Sequence, residues 1–300
     1  MDFKEELKAY QKLVNLELEK YLRKNDCYEK RLNEAMEYSL MAGGKRLRSI
    51  LVIVAYQLFR DDYEKCMPFS VAIEMIHSFS LIHDDLPEID NDDIRHGKPT
   101  NHKKFGHGTA LLAGDGLFNN AYMVISNELL KTIKETDNKK ELENKIIAYE
   151  CLSYAIDRMI AGEYLDTELE GQEISLDLLK YIHKNKTGEF LRASVKMGAI
   201  LADAPKEDIN KLESFAEKIG LAFQIKDDIL SEEGDEKITG KPVGNDKEHQ
   251  KCTYVSYYGL EGAKKELEAI INGALKDLES YGEKAEFLRG LTLYIKNRNK

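Results

Sequence analysis

Residues 69–85, FSVAIEMIHSFSLIHDD, join an apolar segment to an acidic end. A stretch that is apolar on nearly all sides and does not alternate between polar and apolar residues predicts a buried helix. The preceding apolar segment, residues 50–59, has the same character and predicts a second central helix. Because these neighbouring segments would bury their sides against other helices, they favour an all-α fold.

The rest of the chain shows the same helical pattern. Apolar residues recur every three or four positions from Phe3 to Leu18, with Lys and Glu between them, as on one face of a helix. Further helices are predicted at residues 28–41, 110–130, 145–170, 176–202 and 206–230, with one or two more after a loop at residues 231–250. No segment shows strand alternation and no low-complexity linker is present. We therefore expect one all-helical domain, residues 1–300.

The composition narrows the class of protein. The chain has 300 residues, of which 42% are apolar, and only 5 Pro, which suits long helices better than a turn-rich β fold. The net charge of −10 argues against nucleic acid as a partner. The longest apolar run, residues 50–56, is far shorter than the roughly 20 residues that span a bilayer. Without a signal-like segment in residues 1–24, we expect a cytoplasmic protein with no stable membrane insertion.

A cluster of carboxylates marks the first candidate site. Six of the ten residues from Asp84 to Asp93 are acidic, and they follow the carboxyl end of an apolar helix. Negative charge is unfavourable at that end of a helix dipole, so its presence there favours a functional interpretation over a solvated surface. Carboxylates without Cys or a close His pair suit a hard cation, Mg²⁺ in particular.

A second acidic pair, Asp227 and Asp228, ends another apolar helix, residues 215–230. Two such pairs facing each other across a cleft would hold several Mg²⁺ ions against a polyphosphate, because the metal bridges groups that otherwise repel. Fixed cations for the phosphates occur in separate places. They are Lys45, Arg46 and Arg48 in residues 43–48, Arg95 beside His96, Lys186 before Thr187, and Lys241 and Lys251 in or beside the long loop.

Other kinds of site fit less well. The Gly-x-Gly sequences at residues 106–108 and 114–116 do not follow strands, so a dinucleotide fold is not indicated. A metal phosphohydrolase built on His83 and Asp84 would leave the second Asp pair and the Lys residues unexplained. The four Cys are sparse and unpatterned, which is typical of structural thiols.

Taken together, the motifs resemble those of the trans-isoprenyl diphosphate synthases, or polyprenyl synthetases. They are residues 84–90 (DDLPEID), Arg95, 97–102 (GKPTNH), 223–230 (FQIKDDIL), 43–48 (GGKRLR), 186–188 (KTG), 240–246 (GKPVGND) and 251–254 (KCTY). The resemblance covers about residues 25 to 300 and is greatest to the bacterial farnesyl diphosphate synthases. It implies an all-helical bundle around a deep central cavity, and a homodimer.

The resemblance also implies a reaction and a set of site residues. The reaction is the head-to-tail condensation of isopentenyl diphosphate with an allylic diphosphate, with three Mg²⁺ ions per active site and no protein nucleophile. The implied metal ligands are Asp84, Asp85, Asp90, Asp227 and Asp228. The implied catalytic residues are Asp84, Asp85, Lys186, Thr187, Gln224 and Asp227. The implied substrate-binding residues are Gly44, Lys45, Arg48, His77, Arg95, His96, Lys186, Thr187, Gln224, Lys241 and Lys251.

Product length has a physical interpretation. Phe79 lies five residues before Asp84, about 7.5 Å along the helix axis at 1.5 Å per residue. In the family the growing chain extends along this wall, so the ring of Phe79, beside the small Ser80, resembles a floor that stops growth at C15. Farnesyl diphosphate is therefore the expected main product, made from dimethylallyl or geranyl diphosphate.

The sequence departs from the family pattern at three positions. His96 stands where a second Arg is common, Ser231 replaces a third Asp of the second acidic motif, and Glu163 replaces Gln. The principal Mg²⁺ ligands remain, so an active enzyme is favoured. A C20 geranylgeranyl diphosphate synthase and a weakly catalytic regulatory subunit remain as alternatives. A terpene cyclase would not need the Lys45 and Arg48 cluster for a second diphosphate.

Overall fold

The computed structural model describes residues 2–22, 28–233 and 252–298. Its α-helices are α1 (Phe3–Glu19), α2 (Lys30–Leu40), α3 (Leu47–Gln57), α4 (Met67–Asp84), α5 (Asn101–Phe105), α6 (His107–Glu135), α7 (Lys139–Glu168), α8 (Leu176–His183), α9 (Glu189–Leu201), α10 (Lys206–Glu233), α11 (Tyr254–Asp277) and α12 (Glu286–Asn297). The predicted all-α fold is confirmed. Of the predicted loop at 231–250, the first three residues extend α10 and the rest lie outside the described residues.

The two apolar segments form the central helices α3 and α4, as predicted. Every residue of α3 from Ser49 to Tyr56 is buried, and so is every residue of α4 from Met67 to Ile76. Pro68 lies in the first turn of α4, where its missing N–H has no helical partner to lose. The amide of Asp85 caps the end of α4 by donating to Leu81 O, so the acidic segment begins where the helix ends.

The remaining long helices pack around this pair. α4 lies against α6 and α3, and α3 also lies against α9. α9 in turn contacts α7 and α10, and α10 contacts α11. The largest fully buried side chains include Tyr56, Phe69, Phe190 and Phe215, which belong to four different helices. The core is therefore shared by the whole bundle, and α4 is placed at its centre.

Residues 94–99 form a small hairpin that the sequence pattern did not predict. Strands β1 (Ile94–Arg95) and β2 (Lys98–Pro99) pair antiparallel, with Ile94 opposite Pro99. The two turn residues, His96 and Gly97, have φ values of 52° and 73°, the left-handed conformation that two-residue hairpin turns need. This turn places Arg95 and His96 beside the end of α4. Directly after the hairpin, residues 101–105 form the short helix α5.

The predicted helix at residues 176–202 is interrupted by a π-turn at Lys184–Gly188, between α8 and α9. The π-turn packs against α7 and α10. Wide helical turns of this kind are rare in proteins, and those that occur are often found at functional sites. The position of Lys186 and Thr187 within this turn therefore agrees with their predicted role. None of the helices in the described part of the chain is both long and apolar enough to cross a membrane.

Candidate active site

The glycine-rich loop before α3 is held in an unusual backbone conformation. Gly43 and Gly44 have φ values of 110° and 103°, and Arg46 has a φ of 54°. Arg46 is buried and donates hydrogen bonds to Glu74 Oε1 at 3.1 Å and to Leu40 O at 2.6 Å. This buried ion pair fixes the loop against α4, so that Lys45 and Arg48 are presented on the same side.

A cavity of about 350 Å³ lies between this loop, α4 and the 94–99 hairpin. Six of the predicted substrate-binding residues line it, and we refer to it as the cationic cavity. They are Gly44, Lys45, Arg48, His77, Arg95 and His96. Asp85 and Phe223 also line it.

The fixed positive charge of the cationic cavity comes from Arg and Lys rather than from His. Arg48 Nη1 lies 3.0 Å from His77 Nε2. Burial, together with the charge of Arg48, lowers the pKa of His77, and burial followed by Arg95 lowers that of His96. Both imidazoles are therefore neutral near pH 7. The Nε–H of Arg48 is buried and has no hydrogen-bond partner in the described residues, as expected of a group that awaits an anion.

Asp85 is bound to Arg95 at the edge of the cationic cavity. Both Nε and Nη2 of Arg95 contact Asp85 Oδ1, at 2.7 and 2.6 Å, and neither contact uses Oδ2. Arg95 Nη2 also lies 3.6 Å from Asp92. Burial tends to lower the pKa of Arg95, but the bond to Asp85 outweighs it and the pKa is raised. The guanidinium is thus held in place and fully charged.

A second cavity, of about 540 Å³, lies on the other side of α4, toward α7. Its mouth contains Asp84, Glu163, Lys186 and Thr187, and we refer to it as the carboxylate cavity. Its walls include Phe79, Ser80, Leu81, Met159, Ile160, Tyr164 and Phe190. Arg48 and His77 line both cavities, so the two adjoin beside α4.

Negative charge surrounds one half-buried lysine, Lys186, at this mouth. Lys186 Nζ lies 2.9 Å from Glu163 Oε2 and 2.7 Å from Asp166 Oδ2. Burial opposes the charge of Lys186, but the two carboxylates raise its pKa. Burial, followed by the charges of Glu163 and Asp90, raises the pKa of Asp84 to about 7. The site therefore carries more negative charge than its lysine balances.

Phe79, which lines the carboxylate cavity, is backed by further aromatic rings. The ring of Phe79 lies 5.0 Å from that of Phe118 on α6, in an edge-to-face arrangement. Phe118 contacts Tyr122 in the same way at 5.1 Å, and Tyr122 contacts Tyr149 at 5.8 Å. Phe79 is thus the first ring of a series that runs from α4 to α7.

The second acidic motif reaches the cationic cavity through its first residue, Phe223. Gln224, Asp227 and Asp228 are absent from the described lining of both cavities. Asp227 accepts a hydrogen bond from Arg298 at 2.7 Å, and Asp228 accepts one from the amide of Tyr254 at 2.6 Å. Asp90 is exposed, and its amide donates to Asp84 O. Lys241 and Lys251 lie outside the described residues.

The chemistry of these groups fits Mg²⁺. All the donors are carboxylate oxygens, and the pKa of Asp84 is raised by burial first and by neighbouring carboxylates second, a charge that a divalent cation would stabilise. Within residues 2–22, 28–233 and 252–298, no three His, Cys, Asp or Glu side chains form a closed metal cage. Mg²⁺ seldom uses such a cage, because it is usually held by one or two carboxylates, waters and the phosphates of a substrate.

The structure adds two site residues that sequence reasoning missed. Asp166 shares Lys186 with Glu163, and the i, i+3 spacing of the two acids on α7 was a signal that could have indicated it. Arg298 is buried, binds Asp227 and stacks on Phe223 with 3.8 Å between the guanidinium carbon and the ring centre. No sequence pattern distinguishes Arg298 from other basic residues near the carboxyl end.

Comparison with known proteins agrees with the site. The polyprenyl synthetase family profile matches residues 29–289. A farnesyl diphosphate synthase of Bacillus subtilis is 43% identical over 263 residues, which cover 88% of this chain and 87% of that protein. A geranylgeranyl diphosphate synthase of Cyanophora paradoxa is 39% identical, over 89% of this chain and 87% of that protein.

The likeness extends to solved structures. The crystal structure of an FPP/GFPP synthase from Zymomonas mobilis superposes with a TM-score of 0.84 at 32% identity, and the match covers 98% of each chain. The family match, the relatives and the two adjoining cavities agree, and the chain belongs to the polyprenyl synthetase family as a prenyltransferase.

Proposed function

We propose that the protein condenses isopentenyl diphosphate with dimethylallyl or geranyl diphosphate in a Mg²⁺-dependent reaction. The main products are farnesyl diphosphate (C15) and pyrophosphate. The observation that carries this proposal is the pair of cavities that adjoin beside α4. One offers fixed cations to a diphosphate, and the other combines carboxylates at its mouth with an apolar interior suited to a hydrocarbon chain.

The cationic cavity is the proposed seat of isopentenyl diphosphate. Lys45 and Arg48 supply positive charge, and the buried, unpartnered Nε–H of Arg48 is a donor for a phosphate oxygen. His77 is neutral, so it contributes a hydrogen bond rather than a charge. His96, close to Gly44, acts in the same way, and binding at this cavity therefore changes little with pH near neutrality.

The carboxylate cavity is the proposed seat of the allylic substrate. Asp84 lines this cavity, and the other residues proposed to hold the diphosphate through Mg²⁺ are Asp85 by its Oδ2, at the edge of the cationic cavity, and Asp90, Asp227 and Asp228, which line neither cavity as described. Mg²⁺, with three ions proposed per site, would neutralise charge that develops on the departing pyrophosphate. Arg95 and Lys186, and Lys241 and Lys251 of the undescribed segment, are the proposed direct cationic contacts.

The reaction needs no protein nucleophile. The allylic C–O bond breaks and its electron pair leaves with pyrophosphate, which gives an allylic cation. The oxygens of Thr187 and Gln224 and the backbone around Lys186 are proposed to stabilise this cation. The double bond of isopentenyl diphosphate supplies the electron pair of the new C–C bond, and pyrophosphate takes up the proton that is then released. Positioning of the substrates and electrostatic stabilisation of the leaving group supply most of the rate enhancement.

The ring of Phe79 supports C15 as the main product. It lies about 1.4 helical turns before Asp84 and is backed by Phe118, so a longer chain would meet the ring of Phe79 with a second ring behind it. The second candidate, a C20 synthase, is favoured by the similarity to the Cyanophora enzyme and by the small Ser80 beside Phe79.

The deciding experiment incubates the protein with Mg²⁺, isopentenyl diphosphate and either dimethylallyl or geranyl diphosphate, and separates the products by chain length. We expect farnesyl diphosphate as the main product and no turnover with a chelator present. Mainly C20 product would support the second candidate. Absence of any prenyl product would reject the condensation and favour a regulatory subunit.

The outer face of α6 supports a homodimer of one-domain subunits. Leu112, Met123 and Leu130 are exposed there at helical spacing, and the same face carries the uncharged Asn119 and Ser126 and one carboxylate, Asp115. We expect a dimer by sedimentation and a monomer for the variant Leu112→Glu/Leu130→Glu. The described cysteines are free thiols, which supports a reducing compartment, the cytoplasm.

A further inference from the structure

Gly162 of α7 lies so close to the π-turn that a side chain cannot fit between them. A Cβ atom built on Gly162 would lie 2.3 Å from Lys186 N, 2.8 Å from Lys186 Cα and 2.9 Å from Asn185 C. All three neighbours are backbone atoms, which cannot rotate away as a side chain can. The backbone of α7 therefore touches the backbone of the π-turn directly.

A second glycine restrains the same turn from another helix. A Cβ atom on Gly220 of α10 would lie 2.9 Å from the Cα of Gly188, the last residue of the π-turn. The turn is thus held between α7 and α10 by two contacts that both depend on missing side chains. The wide turn is therefore packed tightly on two sides.

The turn carries two residues of the carboxylate cavity, Lys186 and Thr187. The side chain of Lys186 is oriented by Glu163 and Asp166, but those contacts do not fix the backbone that bears it. The close approach to Gly162 supplies that restraint, because it acts on the N and Cα atoms of Lys186 itself.

We propose that Gly162 and Gly220 are positioning residues, which set the place of Lys186 and Thr187 in the site by permitting backbone contact with the π-turn. This inference rests on the proposed function, in which Lys186 and Thr187 face the allylic substrate. Gly162 touches neither substrate nor metal in this scheme. Its effect is exerted through the path of the chain at residues 184–188.

The size of the effect follows from the contact distance. In Gly162→Ala the gap to Lys186 N must grow from 2.3 Å to at least 3.0 Å, so the turn or α7 shifts by about 0.7 Å. Misplacement of a catalytic group by about 1 Å costs on the order of 100-fold in rate. We expect a loss of about that size in kcat, with the KM for isopentenyl diphosphate changed by less than about threefold, because the cationic cavity is not disturbed.

Gly198→Ala is the matched control. A Cβ on Gly198 of α9 would lie 2.3 Å from Val52 O and 2.8 Å from the Cβ of Ala55 in α3, so it causes an equal overlap between two other helices. We expect both variants to lower the thermal midpoint by similar amounts and only Gly162→Ala to lose turnover. A crystal structure of Gly162→Ala should show Lys186 displaced relative to Asp84.

Gly220→Ala provides a milder change if Gly162→Ala does not fold. Its overlap with Gly188 is smaller, and we expect the same loss of kcat in reduced degree. The proposal is overturned if the folded glycine variants turn over as fast as the wild type, if Gly198→Ala loses turnover equally, or if the crystal structure shows the turn unmoved. Inactivity of the wild type would instead reject the proposed function, and the crystal structure would still decide the positioning role.

Discussion

The two cavities share the helix α4 as a wall, yet they are built in opposite ways. In the cationic cavity, charge is fixed by backbone geometry and by two ion pairs, the buried Arg46 with Glu74 and the half-buried Arg95 with Asp85. In the carboxylate cavity, charge is left in excess around one lysine, Lys186, and the interior is apolar. In the proposed function, the first cavity would receive an anion directly, whereas the second would need a cation before a diphosphate could enter.

Two neighbouring residues of one motif face different cavities. Asp84 and Asp85 are adjacent in the chain, but successive residues of a helix point about 100° apart. Asp84 therefore faces Lys186 and the carboxylate cavity, while Asp85 binds Arg95 and lines the cationic cavity. Substitutions that act on one cavity while sparing the other test whether this separation is functional.

The largest effect is expected for Asp84→Asn. It removes a carboxylate at the mouth of the carboxylate cavity, and we expect kcat to fall about 1000-fold, which corresponds to about 4 kcal/mol of lost electrostatic stabilisation. The affinity for isopentenyl diphosphate should stay close to that of the wild type, because Lys45 and Arg48 are untouched. Steady-state kinetics and calorimetric titration with that substrate measure the two quantities.

Asp115→Asn is the control for Asp84→Asn. Asp115 is an exposed carboxylate 3.9 Å from His83 and does not line the carboxylate cavity as described. The same change of charge nearby should leave kcat within about threefold of the wild type. Equal losses for the two variants would show that overall charge matters and that the position of Asp84 does not.

The charged part of the cationic cavity could be predicted from the sequence. Gly44 to Arg48 and Arg95 lie in local motifs and His77 was implied by the family resemblance, and folding brings them together because α4 and the 94–99 hairpin adjoin. The π-turn at Lys184–Gly188 could not be predicted, because its sequence is compatible with a continuous helix and its shape depends on Gly162 and Gly220 from other helices. Arg298 was missed for the same reason: its contact with Asp227 joins segments 71 residues apart.

The next largest effect is expected for Arg48→Gln, which acts on the cationic cavity. The loss of a charge-assisted contact with a phosphate is worth about 1.5–3 kcal/mol, so the KM for isopentenyl diphosphate should rise about 10- to 100-fold. Since Arg48 also lines the carboxylate cavity, the KM for geranyl diphosphate tests whether the two cavities bind their substrates independently. We expect that value to change by less than about threefold.

Arg60→Gln serves as the control for Arg48→Gln. Arg60 is exposed and pairs with Asp62 outside both cavities. Its substitution should leave both KM values unchanged. If Arg48→Gln raised the two KM values equally, the cavities would not act as separate seats for the two diphosphates.

Phe79→Ala should change the product and have a smaller effect on rate. Removal of the first ring opens the carboxylate cavity toward Phe118, and we expect the main product to lengthen from C15 to C20 or beyond. The cationic cavity is unaffected, so the KM for isopentenyl diphosphate should be retained. Chromatography of the dephosphorylated products measures chain length, and unchanged C15 output would refute the role of Phe79 as floor.

Phe118→Ala distinguishes the first ring from the second. Because Phe79 still closes the cavity in this variant, we expect C15 to remain the main product. A larger shift for Phe118→Ala than for Phe79→Ala would place the floor on α6 instead of α4.

The smallest effect is a shift in pH dependence for Glu163→Gln. Burial and the charge of Glu163 raise the pKa of Asp84 to about 7, so protons compete with Mg²⁺ for this carboxylate as the pH falls below 7. Removing the charge of Glu163 lowers the pKa of Asp84, and Asp166 still holds Lys186. As the pH falls, the Mg²⁺ concentration needed for half-maximal activity rises in both proteins. In the variant this rise should begin at a lower pH than in the wild type, by on the order of one pH unit.

The shift is measured by Mg²⁺ titrations of activity between about pH 5.5 and 8.5, a range that brackets the raised pKa of Asp84 at about 7 and the expected shift below it. Glu217→Gln removes a similar charge from the pair that Glu217 forms with Lys184 on the surface, and it should leave the profile unchanged. If activity in Glu163→Gln declined over the same acidic pH range as in the wild type, Asp84 would not be the group that titrates. Because His77 and His96 are already neutral near pH 7, the affinity for isopentenyl diphosphate should not decline over that acidic range. The pH dependence of the carboxylate cavity can thus be measured separately from that of the cationic cavity.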